Sequence, residues 1–310
     1  MASFLIRENV PLAPLTTFMI GGRARFFVEI RTAREIREAL NWAKEHNTKF
    51  ILLAGGSNVL VPDEGLNALV AIIKGCRHSF AGQELRADSG CNLLELIHKA
   101  SSRGYGGWEK LSGIPGTIGG AIRGNAGAFG TEIKDVATKI RAVNIISLNN
   151  RKFSNVECDF SYRHSFFKDN PEWFITRVIV VLTPIDAYKS ARLIEKTIAG
   201  REKRHLQNVR AAGSYFMNPT ASRELQKMFE KEKNSHSRGG RVPAGWLIEK
   251  AGLKGAIVGG AQASPQHPNY IVNIGKASAA DVIALANEIK AEVKRQFNVE
   301  LKEEAVVLTS

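Results

Sequence analysis

The chain has 310 residues, of which 44% are hydrophobic and 24% charged, and its formal net charge at pH 7 is +13. These contents are ordinary for a globular protein, and the length predicts two or three domains. The charge indicates an anionic partner: nucleic acid, an acidic membrane surface or phosphorylated small molecules. A nucleic-acid-binding protein should carry a dense basic stripe with interleaved aromatic residues. The basic residues are scattered instead, which favours phosphorylated small molecules; their one modest cluster is Arg201, Lys203, Arg204 and Arg210.

Targeting signals and cysteine patterns exclude further classes. No apolar run approaches the length of a membrane span, and residues 1–14 show no signal-peptide pattern. We therefore expect a cytoplasmic protein without membrane insertion. The number of cysteines is odd, since the chain has only Cys76, Cys91 and Cys158. We identify neither a Cys-x-x-Cys pair nor a histidine at ligand spacing from a cysteine. This pattern argues against a disulfide framework and a structural zinc site, so no metal is predicted.

The first third of the chain is predicted to begin with an arm and then to alternate strands with a helix. A strand over 25–30 precedes a capping box at Thr32–Glu35, which starts the helix. A buried-type strand at Phe50–Ala54 runs into Gly55-Gly-Ser-Asn58, and the apolar Val59–Val61 follows. Such a glycine turn between strands is a candidate phosphate cradle. It is neither a Walker loop nor a dinucleotide fingerprint, because no Gly-Lys-Ser/Thr and no Gly-x-Gly-x-x-Gly occurs.

A glycine-rich stretch, Leu111–Gly130, dominates the middle of the chain. Its glycines allow sharp turns, while interspersed apolar residues hold the backbone in place. Successive N–H groups in such turns form concave anion-binding nests. Thr117 and Asn125 are polar without charge, which suits hydrogen bonding to phosphate or to a heteroaromatic ring edge. We therefore predict a second ligand cradle here, with a tight loop between strands as the alternative.

The remaining elements are predicted from capping residues, hydrophobic periodicity and β-rich composition. The segment over 191–206 is interpreted as a connector helix, and residues 222–241 as a charged insertion with a short helix and a solvated face. The other predicted elements are strands at Leu69–Ile73, Glu84–Asp88, Val136–Ser147, Arg151–Ser154, Trp173–Leu182 and Ala305–Thr309, and helices at Asn92–Gly104, Pro243–Gly252 and from Ser278 onward.

Three polar residues in apolar or glycine-bounded settings could carry chemistry. Arg163 lies between Tyr162 and His164, Ser214 follows a glycine, and Glu304 precedes the last predicted strand. Taken singly, each has a structural alternative: a surface arginine, a turn serine and a solvent-facing glutamate. The histidines are dispersed, and neither a Gly-x-Ser-x-Gly elbow nor a His-Glu-x-x-His pair occurs, so hydrolytic chemistry has no local support.

Taken together, the motifs resemble the UDP-N-acetylenolpyruvoylglucosamine reductase family, in the family's order and over nearly the whole chain. The most specific is Leu111-Ser-Gly-Ile-Pro-Gly-Thr-Ile-Gly-Gly120 with Asn125-Ala-Gly127. The other motifs are Thr16-Thr-Phe-Met-Ile-Gly-Gly22, Ala54-Gly-Gly-Ser-Asn-Val-Leu60, Tyr162-Arg-His-Ser165, Gly213-Ser-Tyr-Phe-Met-Asn-Pro219, Ala244-Gly-Trp-Leu-Ile-Glu-Lys-Ala-Gly-Leu-Lys-Gly255 and Leu301-Lys-Glu-Glu304.

The resemblance implies an α+β fold. It implies a two-part FAD-binding domain of the vanillyl-alcohol-oxidase type and a smaller α+β C-terminal substrate-binding domain. No segment between Trp173 and Gly213 is long enough for the tyrosine-bearing loop of one subclass, so the shorter subclass is expected, with residues 222–241 as a candidate lid. The expected boundaries are residues 1–15 for the arm, 16–75 and 76–185 for the two FAD-binding subdomains, 186–206 for the connector and 207–310 for the substrate-binding domain.

The resemblance also implies non-covalent FAD, NADPH as co-substrate, and UDP-N-acetylglucosamine enolpyruvate as the substrate reduced to UDP-N-acetylmuramate for peptidoglycan synthesis. The substrate-binding residues it implies are Tyr162, Arg163, Ser214, Asn218 and Glu304, of which Arg163, Ser214 and Glu304 are catalytic. The cofactor-binding residues it implies are Ala54, Gly55, Gly56, Ser57, Asn58, Val59, Leu60, Gly113, Pro115, Gly116, Thr117, Gly119, Gly120, Asn125, Ala126 and Gly127.

In the reaction that the resemblance implies, Arg163 stabilises developing negative charge, Glu304 acts in a protonated state, and Ser214 donates a proton. The tail departs from the family pattern, which makes Glu303 a competitor for Glu304; neighbours on a strand point to opposite faces, so only one can serve. Two other functions remain open. One is an oxidase or dehydrogenase of the same cofactor fold acting on a sugar or lactone, and the other is a basic nucleic-acid-binding protein.

Overall fold

The structure, a computed structural model, describes residues 4–204 and 208–309. Its first region is organised around a four-stranded sheet in the order β1-β2-β5-β3. The third strand of that order is buried along almost its whole length, as expected for an apolar strand covered on both faces. The elements of this region are β1 (Arg7–Pro11), β2 (Arg23–Ile30), α1 (Ala33–Glu45), β3 (Lys49–Leu53), β4 (Val59–Leu60) and β5 (Leu66–Ile73).

The N-terminal residues do not form a free arm. β1 pairs antiparallel with β2, with Arg7 opposite Phe27, so residues 7–11 add an edge strand to the first sheet. The strands and the helix predicted for this region are otherwise confirmed, with ends shifted by up to three residues. Thr32 caps α1 by accepting a hydrogen bond from the Glu35 N–H at 3.2 Å, as its capping sequence predicts.

The second region contains a five-stranded antiparallel sheet in the order β12-β11-β13-β7-β6. One face packs against helices on a core that includes Trp108, Leu111 and Phe153. The elements are β6 (His78–Ala81), β7 (Glu84–Asp88), α2 (Leu93–Ser101), β8 (Tyr105–Gly106), α3 (Ile118–Arg123), β9 (Gly127–Ala128), β10 (Thr131–Glu132), β11 (Ala137–Asn144), β12 (Asn150–Ser154), α4 (Phe166–Asp169), β13 (Trp173–Val181), β14 (Thr183–Pro184) and α5 (Ala187–Glu202).

Helix α5 is part of the second region rather than a free connector. It begins earlier than predicted, because Asp186 caps it by accepting a hydrogen bond from the Lys189 N–H. Ile194 is buried in the core of this region, and the Ser190 hydroxyl donates to the buried Glu109 carboxylate at 2.8 Å. Leu206 and Gln207, at the predicted domain boundary, lie outside the described residues.

The third region is the smaller C-terminal one. Its core gathers apolar faces of three helices against a three-stranded sheet in the order β15-β16-β17. The predicted cap of the longest helix is confirmed, because Ser278 and Asp281 form a reciprocal capping box. The elements are α6 (Arg223–Lys233), α7 (Ala244–Lys250), β15 (Ile257–Val258), β16 (Ala261–Ala263), β17 (Ile271–Asn273), α8 (Ala279–Phe297) and β18 (Val306–Val307).

A strand pairing and a helix cap are among the contacts that attach the third region to the first. Strand β18 pairs parallel with β4, so that Val306 lies opposite Val59. The Asp63 carboxylate caps α8 by accepting hydrogen bonds from the N–H groups of Ala279 and Ala280, at 2.7 and 3.0 Å. The C-terminal tail is therefore held directly beside the predicted glycine turn at residues 55–58.

The charged segment 222–241 is only partly the solvated element that its composition predicts. Its helix α6 is present, but Leu225 and Phe229 are buried in the third core, and Phe229 packs edge-to-face on Trp246 at 5.6 Å between ring centroids. The charged residues occupy the other face. Because α6 is anchored by aromatic packing, it is a structural element of the domain.

Candidate active site

The three regions meet around one cleft of about 660 Å³. The first region contributes residues between 50 and 59, the second contributes residues between 114 and 127 and between 163 and 175, and the third contributes residues 212–214 and 304. Both predicted glycine turns and all three predicted catalytic residues, Arg163, Ser214 and Glu304, therefore line the same cleft.

The first glycine loop, residues 54–58, presents free backbone donors to the cleft. The N–H groups of Gly56, Ser57 and Asn58 donate no hydrogen bond within the described part of the chain. Gly56 has a φ of +61°, and a Cβ there would collide with the Leu15 carbonyl oxygen. The loop thus needs glycine for its conformation and offers consecutive donors suited to a phosphate.

The second glycine loop, residues 113–117, touches the first. A Cβ on Gly55 would lie 2.8 Å from the Gly116 Cα, and the Ser57 hydroxyl donates to the Pro115 carbonyl at 3.0 Å. The sequence predicts only turns here, whereas the structure starts α3 directly after the loop. Thr117 caps that helix by accepting a hydrogen bond from the Gly120 N–H, which overrides the low helix propensity of its glycines.

Most of the predicted cofactor-binding residues line the cleft, but four do not. Leu60 is fully buried in the core of the third region, and Gly113, Gly116 and Asn125 are not among the lining residues. Asn125 donates to the Ser161 carbonyl at 2.8 Å and to the Glu132 carboxylate at 3.1 Å, so its side chain has structural partners and its cofactor role stays a prediction. Those that line the cleft are Ala54, Gly55, Gly56, Ser57, Asn58, Val59, Pro115, Thr117, Gly119, Gly120, Ala126 and Gly127.

The motif Thr16–Gly22 supports the first glycine loop from behind. The Thr17 N–H donates to the Gly56 carbonyl at 3.1 Å, and the Thr17 hydroxyl donates to the Ala211 carbonyl at 2.7 Å. None of the seven residues of the motif, all of which the structure describes, lines the cleft. Its resemblance to a flavin-binding element therefore reflects the positioning of the loop.

The side chains of Arg163 and Glu304 meet inside the cleft, with 2.6 Å between Arg163 Nε and Glu304 Oε1. Their side chains are only 22% and 18% exposed, so solvent screens the pair weakly. Arg163 also donates to the Gly127 carbonyl at 3.0 Å, and its φ of +57° is unusual for a residue with a side chain. The tight turn from Ser161 to His164 holds it in this conformation.

Burial raises the pKa of the Glu304 carboxyl above its ordinary value of 4.5, although Arg163 and Lys168 act in the opposite direction. The neighbouring Glu303 points elsewhere and pairs with Lys290 at 2.7 Å. The expectation that the two glutamates face opposite sides is therefore confirmed, and Glu304 is the one in the cleft.

Ser214 reaches the cleft from the third region. The segment that follows it runs beside the C-terminal tail: the Glu304 N–H donates to the Tyr215 carbonyl at 2.8 Å, and the Met217 N–H donates to the Lys302 carbonyl at 2.9 Å. Asn269 fixes the same segment through hydrogen bonds to the N–H and carbonyl of Phe216. These bonds hold the segments that carry Ser214 and Glu304 side by side at the cleft.

Tyr162 and Asn218 lie beside the cleft and are not among its lining residues. The Asn218 N–H donates to the Tyr162 hydroxyl at 3.3 Å, and the Asn218 side-chain oxygen accepts from the Ala244 N–H at 3.0 Å. The guanidinium groups of Arg163 and Arg241 contact the Tyr162 ring. Both residues thus have structural partners, and their binding role stays a prediction.

The lining residues that the sequence did not single out as site candidates include four with titratable side chains. Arg201 is 7% exposed and its Nε has no hydrogen-bond partner within the described part of the chain, while burial lowers its pKa. Lys168 donates to the Arg163 carbonyl at 3.1 Å. His267, whose pKa burial lowers, and Tyr270 complete this set. Of these four, only Arg201 was noted in the sequence, as part of the basic cluster, and a basic cluster alone does not identify a ligand.

The cleft has a strong excess of positive charge. Among its described lining residues, the acidic side chain is Glu304, and the four cations are Arg123, Arg163, Lys168 and Arg201. Arg123, which the glycine-rich motif does not explain, lies in the last turn of α3, where a cation also interacts favourably with the helix dipole. The arrangement suits ligands carrying phosphate or carboxylate groups.

Two protein-family models match most of the chain. A family model described as "UDP-N-acetylenolpyruvoylglucosamine reductase, C-terminal domain" matches residues 203–308, and one described as "FAD binding domain" matches residues 24–147. The prediction of an α+β chain with an FAD-binding domain and a smaller C-terminal domain is confirmed. Among the described helices, none is both long and apolar enough to cross a membrane.

Relatives that match over nearly the whole chain are named as the same reductase. The UDP-N-acetylenolpyruvoylglucosamine reductase of Carboxydothermus hydrogenoformans is 37% identical over 98% of this chain and 94% of its own. That of Synechococcus is 34% identical over 98% of this chain and 92% of its own. The crystal structure of the reductase from Thermus caldophilus is 28% identical, covers 98% and 99% of the two chains, and superposes with a TM-score of 0.78.

Proposed function

Because the chain belongs to the UDP-N-acetylenolpyruvoylglucosamine reductase family, we propose that it uses NADPH and bound FAD to reduce UDP-N-acetylglucosamine enolpyruvate to UDP-N-acetylmuramate. The observation that carries the proposal is the Arg163–Glu304 pair, which shares one cleft with Ser214 and both glycine loops. NADPH and UDP-linked sugars are cytoplasmic metabolites, so we place the reaction in the cytoplasm, where it serves peptidoglycan synthesis, cell shape and division.

The residues present fit FAD. The free N–H groups of Gly56, Ser57 and Asn58 suit its pyrophosphate, and the close packing of Gly55 on Gly116 keeps side chains out of that space. The apolar residues Phe50, Trp173 and Phe174 line the same cleft and offer surfaces for aromatic rings. Ala54–Leu60 contains neither histidine nor cysteine, which agrees with non-covalent attachment. When bound, the flavin supplies to the substrate the hydride that it receives from NADPH.

We assign Arg163 to the substrate carboxylate. When hydride reaches the methylene carbon of the enolpyruvyl group, negative charge builds on the adjacent carbon and its carboxylate. A guanidinium offers a planar pair of donors matched to a carboxylate, and in a weakly solvated cleft it stabilises that charge more than it would in water. Its hydrogen bond to the Gly127 carbonyl fixes the guanidinium before the substrate arrives.

We assign Glu304 to the same charge, acting with a proton on its carboxyl group. A second full negative charge would oppose the reaction, whereas a protonated carboxyl donates a hydrogen bond to the enolate. Burial raises its pKa, which favours this state. The Asn58 side chain holds the Glu304 carbonyl at 3.0 Å, so the first glycine loop and the acid are positioned together.

We assign Ser214 as the proton donor to the carbon next to the carboxylate. The proton leaves the hydroxyl as the new C–H bond forms, and the serine oxygen then regains a proton from water. Position supports this role. The carbonyl of Tyr215, the residue after Ser214, accepts hydrogen bonds from the N–H groups of Glu304 and Ala305, and Ser214 lines the same cleft as Glu304. A hydroxyl of ordinary acidity can donate to a carbanion when it is held against it.

Anaerobic half-reactions test the assignment. In Ser214→Ala, flavin reduction by NADPH is expected to stay near the wild-type rate, while reoxidation by UDP-N-acetylglucosamine enolpyruvate falls by about 10²–10⁴-fold, the usual contribution of a general acid. Ser102→Ala, at an exposed serine whose hydroxyl donates to the Lys99 carbonyl, is the control. Equal slowing of both half-reactions would show that Ser214 is not the donor. Reduced wild-type protein that is reoxidised by sugars or lactones, and not by the enolpyruvyl nucleotide, would contradict the proposed function.

A further inference from the structure

A cluster of metal ligands lies outside the cleft, at the edge of the second sheet. One ligand atom each from Cys76, His78 and Cys91 lie within 4.8 Å of one another. Cys76 is exposed, His78 is half-buried and Cys91 is buried, so the cluster connects the surface with the interior. The Nδ1 of His78 is itself buried and has no hydrogen-bond partner among the described residues.

The backbone builds this cluster from two separate turns. Strands β6 and β7 form an antiparallel hairpin with His78 opposite Ala87, so Cys76 and Cys91 meet at its open end. Their glycine neighbours allow close approach, because a Cβ on Gly90 would lie 2.6 Å from the Gly75 carbonyl oxygen. Cys76-Arg-His78 does not have one of the usual zinc-ligand spacings, so the sequence did not point to this cluster. Side chains two residues apart share one face of an extended segment, however, and can bind one ion together.

We propose that Cys76, His78 and Cys91 bind a thiophilic divalent cation, with Zn²⁺ as the expected occupant. Two thiolates and an imidazole are typical zinc ligands, and tetrahedral zinc holds its ligand atoms about 3.3–3.8 Å apart, within reach of small side-chain adjustments here. Asp88 is not a fourth ligand, because both of its oxygens accept hydrogen bonds from Arg77 and Arg177. Water on the exposed side of Cys76 completes the coordination. Each thiol releases its proton to solvent as its sulfur–metal bond forms, with no change of oxidation state.

The site supports the second glycine loop. The Cys91 carbonyl accepts a hydrogen bond from the Ile118 N–H at 2.9 Å, and the Ser89 carbonyl accepts one from the Gly119 N–H at 2.9 Å. The Leu93 N–H donates to the Gly116 carbonyl at 3.1 Å. The turn that carries Cys91 is therefore bonded to the start of α3 and to the loop before it. A cation bound here fixes that turn and stabilises the folded protein.

Metal titration of the full-length holoprotein tests the site. The protein is reduced, treated with a chelator, desalted and titrated with Zn²⁺ in competition with a chromophoric chelator, and separately with Co²⁺. We expect one Zn²⁺ per chain, Co²⁺ d–d bands at wavelengths beyond the flavin absorption, and slower reaction of Cys76 with a thiol reagent. At a free Zn²⁺ concentration 100 times Kd, the Tm should rise by about 4 °C.

Substitutions of the ligands supply the matched comparison. Cys76→Ser, His78→Gln and Cys91→Ser should each weaken Zn²⁺ binding by at least about 100-fold, the upper end of the effect of losing an outer-shell partner. Cys76 is exposed, so its variant is expected to fold even if Cys91→Ser does not. His98→Gln, on the exposed face of α2, should bind Zn²⁺ like the wild type.

Three results would overturn the proposal. One is a reduced wild-type protein that takes up no Zn²⁺, and another is equal affinity in the wild type and Cys76→Ser, which would indicate adventitious surface binding. The third is a Cys76–Cys91 disulfide in the freshly isolated protein, together with no metal uptake after that disulfide has been reduced. This result would indicate a redox-active cysteine pair instead of a metal site.

Discussion

Glu303 and Glu304 are chemically identical neighbours, but their surroundings differ and predict different roles. Glu304 lies in the cleft against Arg163, whereas Glu303 makes a partly exposed ion pair with Lys290. Glu304→Gln should slow flavin reoxidation by the substrate by about 10²–10³-fold, the cost of removing one group that stabilises a developing oxyanion. Glu303→Gln should leave that rate unchanged and alter the free energy of unfolding by about 1 kcal/mol or less, as for most surface pairs. A larger kinetic loss in Glu303→Gln would reverse the assignment.

The protonation of Glu304 predicts a pH dependence. Its pKa is raised in the folded protein, so the protonated fraction falls as pH increases through that raised value. If the protonated acid is the active form, the rate of reoxidation by the substrate should decline over the same range, and Glu304→Gln, which has no proton to lose, should lack this decline. Stopped-flow measurements across pH check both curves.

The same shift makes a thermodynamic prediction. The folded state binds the Glu304 proton more tightly than the unfolded state, so the free energy of unfolding should decrease as pH rises from 4.5 to the raised pKa. Denaturant titrations of the wild type and Glu304→Gln at several pH values isolate this contribution as the difference between the two proteins. A difference of opposite sign would mean that the ion pair with Arg163 dominates and that the carboxyl is ionised.

At the scale of elements, contact between the two glycine loops sets the width of the cofactor site. Gly55→Ala should lower FAD affinity at least about tenfold, because a Cβ 2.8 Å from the Gly116 Cα forces the backbones apart and rigid interiors accommodate such overlap poorly. Gly200→Ala is the matched control: it lies in α5 with nothing within 4 Å of its Cβ, so it should keep FAD and gain slight stability. Flavin released on gel filtration and fluorescence titration of the apoprotein measure the difference. Equal FAD affinity in both variants would contradict this view of the loops.

At the scale of the whole molecule, local signals predicted the sheets better than the side-chain partners. The strand Glu84–Asp88 was predicted with its observed bounds, because alternation and turn residues are local properties. Asn125 was assigned to the cofactor, since an amide in a glycine stretch suits such a role. Its partner Ser161 is 36 residues away, and no local pattern reveals that the intervening chain folds back to saturate it.

The same limit explains why the sequence did not reveal the additional cations of the cleft or the cluster of Cys76, His78 and Cys91. Arg201 lies on α5 among many charged residues, and only the folded structure shows that it is a buried residue of the cleft. Cys91 is 15 residues from Cys76, a distance that the β6–β7 hairpin closes. Conversely, the family motifs selected Arg163, Ser214 and Glu304, which lie far apart in the sequence and line one cleft in the structure. The composition of a single chain would not have grouped them.

The attachment of the C-terminal tail joins the catalytic acid to the cofactor loop and gives a last prediction. The Val306 N–H donates to the Asn58 carbonyl at 3.0 Å, whereas the Val307 N–H makes no hydrogen bond to any residue in 4–204 or 208–309. Val306→Pro removes this donor from the β4–β18 pair and should let the tail that carries Glu304 move away from the first glycine loop. Val307→Pro places the same ring one residue later without removing a bond between the strands.

We expect Val306→Pro to lower the Tm and to slow reoxidation by substrate at least about tenfold, since small displacements of catalytic groups are costly, while flavin reduction by NADPH changes little. If both proline variants behaved alike, contacts other than the Val306–Asn58 hydrogen bond would hold the tail, and the β4–β18 pair would not be what positions Glu304.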